Sequence, residues 1–154
     1  MPWFKKIEIA GAAVLFSWNP EYSLDIAQVD EEHSKLIQMM KKLELADTRR
    51  DRVKIVKGVI GEIEEYCRVH FSNEEDLMRR SGYPQLEAHR QAHVQFRKKV
   101  EDLKLFAAFN AAEIHQILLE WLVEHILKTD RDYVPYVRKY LAEHPEQVIS
   151  TTAP

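Results

Sequence analysis

The chain has 154 residues, a hydrophobic share of 45%, a charged share of 31% and a formal net charge of -3, the profile of one globular domain able to bury its own core. Basic residues (Lys41, Lys42, Arg49, Arg50, Arg79, Arg80, Arg97, Lys98, Lys99) are spread along the chain among acids, which argues against nucleic-acid binding. No run approaches the ~20 apolar residues needed to cross a bilayer.

Residues 1–28 lack a helical period and carry Trp3, Phe16, Trp18, Pro20 and Tyr22, which predicts an ordered, irregular arm packing aromatics on the domain. Within it, Ile7 to Phe16 follows Lys5 and Lys6 but is short and interrupted by Glu8, a poor signal sequence. Together with the lone Cys67, this suggests a cytoplasmic protein.

A first helix is expected from about Asp30, as a cap, to Ala46, because His33, Leu36, Ile37, Met40 and Leu43 recur at steps of three and four. Thr48 with Asp51 resembles a capping arrangement for a second helix reaching about Arg80, striped by Val56, Val59, Ile60, Ile63, Cys67, His70, Glu74, Leu77 and Met78. Ser81-Gly82 ends it, and Pro84 suits the first turn of a third helix burying Leu86, His89, His93, Phe96, Val100 and Leu103. Asn110 and Glu113 suggest the cap of a fourth helix with Ile114, Leu118, Trp121, Leu122, His125 and Ile126, and a short fifth helix covers about Asp132 to Ala142.

Short links make neighbouring helices antiparallel, so the expected fold is all-α: an up-down-up-down four-helix bundle with an irregular N-terminal arm and a short C-terminal helix. It is expected to form one domain over 1–154, with the arm at 1–28, the bundle at 29–143 and a tail at 144–154 that is disordered from Pro145 onward.

Each helix sets imidazoles or carboxylates into its apolar stripe, where they are costly without partners. His70 and Glu74 are four apart, as are His89 and His93, so each pair shares a helix face. His33, His125 and Asp130 complete a set of seven nitrogen and oxygen ligands. The set has no paired thiols and is too large for one tetrahedral ion, which points to two octahedral-preferring ions in the bundle core. If Glu74, Asp130 and a solvent oxygen each bridge the ions, five histidines divide three and two, and one ion keeps an open position.

His33 after Val29-Asp30-Glu31-Glu32, the run His70-Phe71-Ser72-Asn73-Glu74-Glu75, His89 with His93, and Trp121-Leu122-Val123-Glu124-His125-Ile126 with Asp130 resemble the hemerythrin family, over roughly residues 16 to 140. The resemblance implies reversible dioxygen binding at a non-haem centre of two iron ions with an oxo or hydroxo bridge, dioxygen being held as hydroperoxide. It implies that His89, His93 and His125 hold the closed iron, that His33 and His70 hold the open one, and that Glu74 and Asp130 bridge. Leu36, Phe71, Trp121, Leu122 and Ile126 flank these ligands and are candidates for a dry oxygen pocket.

The expected protein is an oxygen carrier and not an enzyme, with no catalytic residue, although peroxidase-like side activity is compatible with the chemistry. Its expected partners are dioxygen and a reductase or an oxygen-consuming enzyme, and a monomer is expected. A carboxylate-rich di-iron oxidase is disfavoured because Glu-x-x-His occurs nowhere in the chain. A sensor module remains the other alternative. Glu32 reads as a solvated surface acid, with a carboxylate accepting from a ligand histidine as its alternative, Glu75 as a solvated or salt-bridged acid, and His115 and His144 as non-ligands.

Overall fold

The computed structural model describes residues 17–46, 49–105 and 111–149. Among these residues every regular element is helical: α1 (Ala27–Ala46), α2 (Arg52–Arg80), α3 (Leu86–Leu105), α4 (Ala111–Trp121), α5 (Val134–Glu143) and α6 (Glu146–Ile149). α1 packs on α2 and α4, and α2 packs on α3. With links this short the four long helices alternate in direction, the four-helix bundle expected from the apolar stripes. No helix among the described residues is long and apolar enough to cross a membrane.

Two buried apolar clusters fill the bundle. The larger holds Leu36, Met40, Ile60, Ile63, Phe71, Phe96, Leu118 and Ile126 among others. The smaller gathers Leu24, Ile26, Val29, Met78, Tyr83, Tyr133 and Val137. In sequence, His33 lies between Val29 and Leu36, and Glu74 between Phe71 and Met78, so the polar residues of the stripes sit where the two clusters meet.

The helix ends depart from expectation. α1 begins at Ala27, and Asp30 lies in its first turn. The Asp30 carboxylate accepts from the Leu24 N–H at 2.7 Å and the Ser23 hydroxyl at 2.6 Å, so it ties the arm to the helix instead of capping it. Arg138 secures the same segment from α5, donating to the Leu24 carbonyl and to Asp25, each at 2.7 Å. Trp18 and Tyr22 pack against the larger cluster, edge to face with each other at 6.0 Å. Trp3, Phe16, the Thr48 half of the second capping arrangement and Asn110 lie outside the described residues. Asp51 makes no side-chain capping bond to α2.

Gly82 takes φ +69 after α2, as the helix terminus requires. Pro84 falls in the following turn, ahead of Leu86, where α3 begins. The fourth helix is not continuous to Ile126. α4 ends at Trp121 and a π-helical turn, Leu122–Ile126, follows, with the Leu127 N–H donating to the Leu122 carbonyl at 2.9 Å. A 3-10 turn over Thr129–Asp132 then leads to α5, which starts at Val134 and not at Asp132. The tail is not structureless from Pro145: Glu146–Ile149 forms α6, and Arg80 donates to Gln147 at 2.7 Å.

Candidate metal centre

α1 contributes His33, α2 contributes His70 and Glu74, α3 contributes His89 and His93, the π turn contributes His125 and the 3-10 turn contributes Asp130. All seven are buried. The i,i+4 pairs meet because such residues stack on one helix face. His125 and Asp130 are five apart, which in a regular α-helix would separate them by ~140° around the axis. The π and 3-10 turns fold the chain back so that His125 Nε2 lies 3.1 Å from Asp130 Oδ1.

All five imidazoles present Nε2 to the two carboxylates. Glu74 Oε2 is 3.1 Å from His93, 3.6 Å from His89 and 3.7 Å from His70. Asp130 lies 3.1 Å from His125, 3.2 Å from His89 and 3.4 Å from His33. The donor atoms fall into two groups that could each hold a cation, one of Glu74, His89, His93 and His125, the other of His33, His70 and Glu74. Glu74 belongs to both, and Asp130 touches histidines of both.

These contacts are close in distance but mostly wrong in angle for hydrogen bonds. Both nitrogens of His33, His93 Nε2, Glu74 Oε2 and both Asp130 oxygens are buried without a hydrogen-bond partner. His125 Nε2 faces His89 Nε2 at 3.1 Å. Buried polar groups are rarely left so, and lone pairs converging on common points are what a pair of cations would satisfy. The donor set therefore fits a non-haem metal centre.

Two histidines are held from behind. His70 Nδ1–H donates to Glu32 at 2.7 Å and His93 Nδ1–H to Glu75 at 2.9 Å. A carboxylate only accepts, so each Nδ1 carries the proton and each Nε2 turns its lone pair toward the centre. Glu32 is not the solvated surface acid expected: it is 7% exposed, accepts from Asn73 at 2.6 Å, and serves His70 across the α1–α2 interface instead of neighbouring His33. Glu75 is salt-bridged to Arg90 at 3.2 Å, as expected, and orients His93 in addition. Sequence reasoning also missed Tyr133, whose hydroxyl donates a short hydrogen bond to Glu74. The only hint to these three lay in their nearness to ligand positions in the chain.

Burial opposes charge throughout the cluster, yet opposite charges outweigh it at most positions. The Glu74 charge and the Glu32 hydrogen bond raise the pKa of His70. The carboxylates of Asp130 and Glu74 beside it hold His89 up at about 9 against burial. His70, His89 and His93 keep Glu74 well below the usual carboxylate range, while His125, His33 and His89 lower Asp130 against burial and the Glu74 charge. At His125 burial prevails and its pKa falls.

Aromatic rings wall the three-histidine end. Phe71 stacks on His93 at 3.9 Å, Trp121 on His125 at 3.8 Å, and Phe96 on Trp121 at 4.1 Å. Leu36, Leu122 and Ile126 are fully buried in the larger apolar cluster, and Trp121 is half-buried. His115 is paired with Glu44 at 3.1 Å and His144 Nδ1–H donates to the Tyr140 carbonyl at 2.9 Å, so neither belongs to the cluster.

Residues 24–137 match the family model described as the hemerythrin HHE cation binding domain. A bacteriohemerythrin from Stenotrophomonas maltophilia is 33% identical over 132 residues, covering 82% of this chain and 84% of that protein. One from Clostridium acetobutylicum is 34% identical, covering 78% and 99%, and a myohemerythrin from Theromyzon tessulatum is 30% identical, covering 77% and 90%. A solved hemerythrin structure carrying a leucine-to-tyrosine substitution superposes with a TM-score of 0.72 at 25% identity, covering 81% of this chain and 98% of that one.

Proposed function

Since the chain belongs to the hemerythrin HHE cation-binding family, we propose that it binds dioxygen reversibly at two non-haem iron ions, for carriage, storage or delivery, and is not an enzyme. His89, His93 and His125 would hold one ion, His33 and His70 the other, with Glu74, Asp130 and an oxo or hydroxo group between them. The observation that carries this reading is the unequal division of five buried imidazoles, three in one donor group and two in the other, with Glu74 in both groups and Asp130 beside histidines of each. Two iron ions held there would supply the two electrons that dioxygen binding draws on.

The chain's own residues orient and dry the site. Glu32 and Glu75 fix the tautomers of His70 and His93. Tyr133 holds Glu74 in place. Leu36, Phe71, Trp121, Leu122 and Ile126 exclude the water and free protons that would make oxygen uptake irreversible. One chain carries all seven ligands, so a monomer suffices. We place the protein in a reducing cytoplasm, where a reductase keeps the metal ferrous. Its single thiol, Cys67, is buried with its pKa pushed up to about 12 by burial, so it is inert there.

Reduced protein exposed to oxygen and then degassed should gain and lose a visible absorption band over repeated cycles, with two irons per chain by elemental analysis. Irreversible bleaching would favour an oxidase, and one zinc per chain would overturn the di-iron reading.

A further inference from the structure

Tyr66 is absent from every role described so far. It lies on α2 one turn before His70, 6% exposed, with its ring stacked on the His70 imidazole at 4.9 Å and 21°. Its hydroxyl is buried and without a hydrogen-bond partner. The charged groups that act most on that hydroxyl are the carboxylates of Glu74 and then Asp130, the two shared between the halves of the metal centre. A phenylalanine would fill the same space without the cost of burying an unpartnered hydroxyl.

Tyr66 also stands at the edge of an open path. A groove of about 680 Å³ runs between α1 and α2, lined by Met39, Lys42, Gly58, Gly61, Tyr66 and His70 among others. A Cβ at Gly58 or Gly61 would meet nothing within 4 Å, so the groove is wide there. Among the described Tyr and Trp residues the other buried donor without a partner, Trp121 Nε1–H, belongs to the ring stacked on His125, at the three-histidine end.

We propose that the Tyr66 hydroxyl is the hydrogen-bond donor that holds the exogenous ligand, dioxygen or a small anion, at the His33 and His70 end of the centre. This rests on the reading of a metal pair with an open position at that end. A neutral phenol donates one hydrogen bond, and a donor facing a ligand that gains negative charge makes a charge-assisted bond, stronger than one to a neutral acceptor. Tyr66 thereby favours anionic ligands over neutral ones of the same size.

The probe is azide, titrated into the iron-loaded, air-oxidised protein and its Tyr66→Phe variant. Equal iron per chain is expected in both, with the azide Kd about tenfold higher in the variant, the scale of one lost hydrogen bond to a charged group. The azide stretching band of the native protein should shift between H₂O and D₂O, and that shift should vanish in the variant. Azide binding by the native protein with an unchanged Kd in the variant, or with no isotope shift in the native protein, overturns this inference alone. Native protein that holds two irons and takes up no azide overturns the open position and the inference with it.

Discussion

Glu32 places a carboxylate behind the His70 imidazole, and its effect is separable from that of the imidazole itself. Glu32→Gln keeps an acceptor for His70 Nδ1–H but removes the charge that favours the donating tautomer. Metal affinity should fall about 10- to 100-fold, read by competition with a chromogenic chelator, while Glu31→Gln on the exposed face should leave it unchanged. His89 adds a pH dependence. Its pKa in the metal-free fold is held at about 9, above the ~6.5 of an unperturbed histidine. That charge therefore stabilises the metal-free fold fully below ~6.5, and the contribution is lost as pH rises through about 9. A metal ion must displace the same proton, so metal binding should tighten across this window and release protons. Calorimetric titrations in two buffers of different ionisation enthalpy would disclose the release, and identical heats would refute it.

The turns between helices carry as much of the site as the helices do. Gly82 occupies the left-handed region at φ +69 in open surroundings. Gly82→Ala should cost about 1 kcal/mol from backbone strain alone, measured by denaturant unfolding, with metal content unchanged. The apolar stripes made the four long helices and six residues of the buried cluster legible in the sequence, because a 3.6-residue period with histidines set into it has no cheap alternative. Other features left no such trace. The π turn at Leu122–Ile126 inserts one residue into a stripe that still reads as helical, since Leu122, His125 and Ile126 fall on one face either way. Asp130 entered the set as the carboxylate five residues beyond His125 near a helix end, although no regular helical geometry puts the two side by side. Glu32 was misjudged because its burial depends on α2 crossing over it, a tertiary fact that a residue's own helix does not reveal. Pro84 and Asp30 fit the chemistry of helix starts but sit a turn away from the actual ones, where local hydrogen bonds to the arm and the preceding loop decide.

Across the whole molecule, seven buried polar residues lie where two apolar clusters meet, so the metal-free bundle holds a seam of mutually unsatisfied groups. Binding that is confined to the folded state stabilises it by about 4 kcal/mol when free metal exceeds its Kd a thousandfold, which for a chain this long raises Tm by about 10 °C. Calorimetry of chelator-treated and reloaded protein should reveal that gap, and coincident melting would refute the seam. Leu118→Ala, in the larger cluster away from the ligands, should instead lower stability by about 2–5 kcal/mol in the metal-loaded and metal-free forms alike.

The stack of Phe96, Trp121 and His125 has an optical consequence. An indole in face contact with an imidazole that holds a redox-active ion loses its excited state by electron transfer, so under the proposed role of His125 Trp121 emission should be dark in the iron-loaded protein and recover when iron is removed. Trp18, packed at the arm with Tyr22, would then supply a steadier background. Replacing Trp121 with Phe should abolish the difference in fluorescence yield between the two forms, and its persistence would assign the quenching elsewhere. The fold thus contains a built-in gauge of its own occupancy, readable without any added dye.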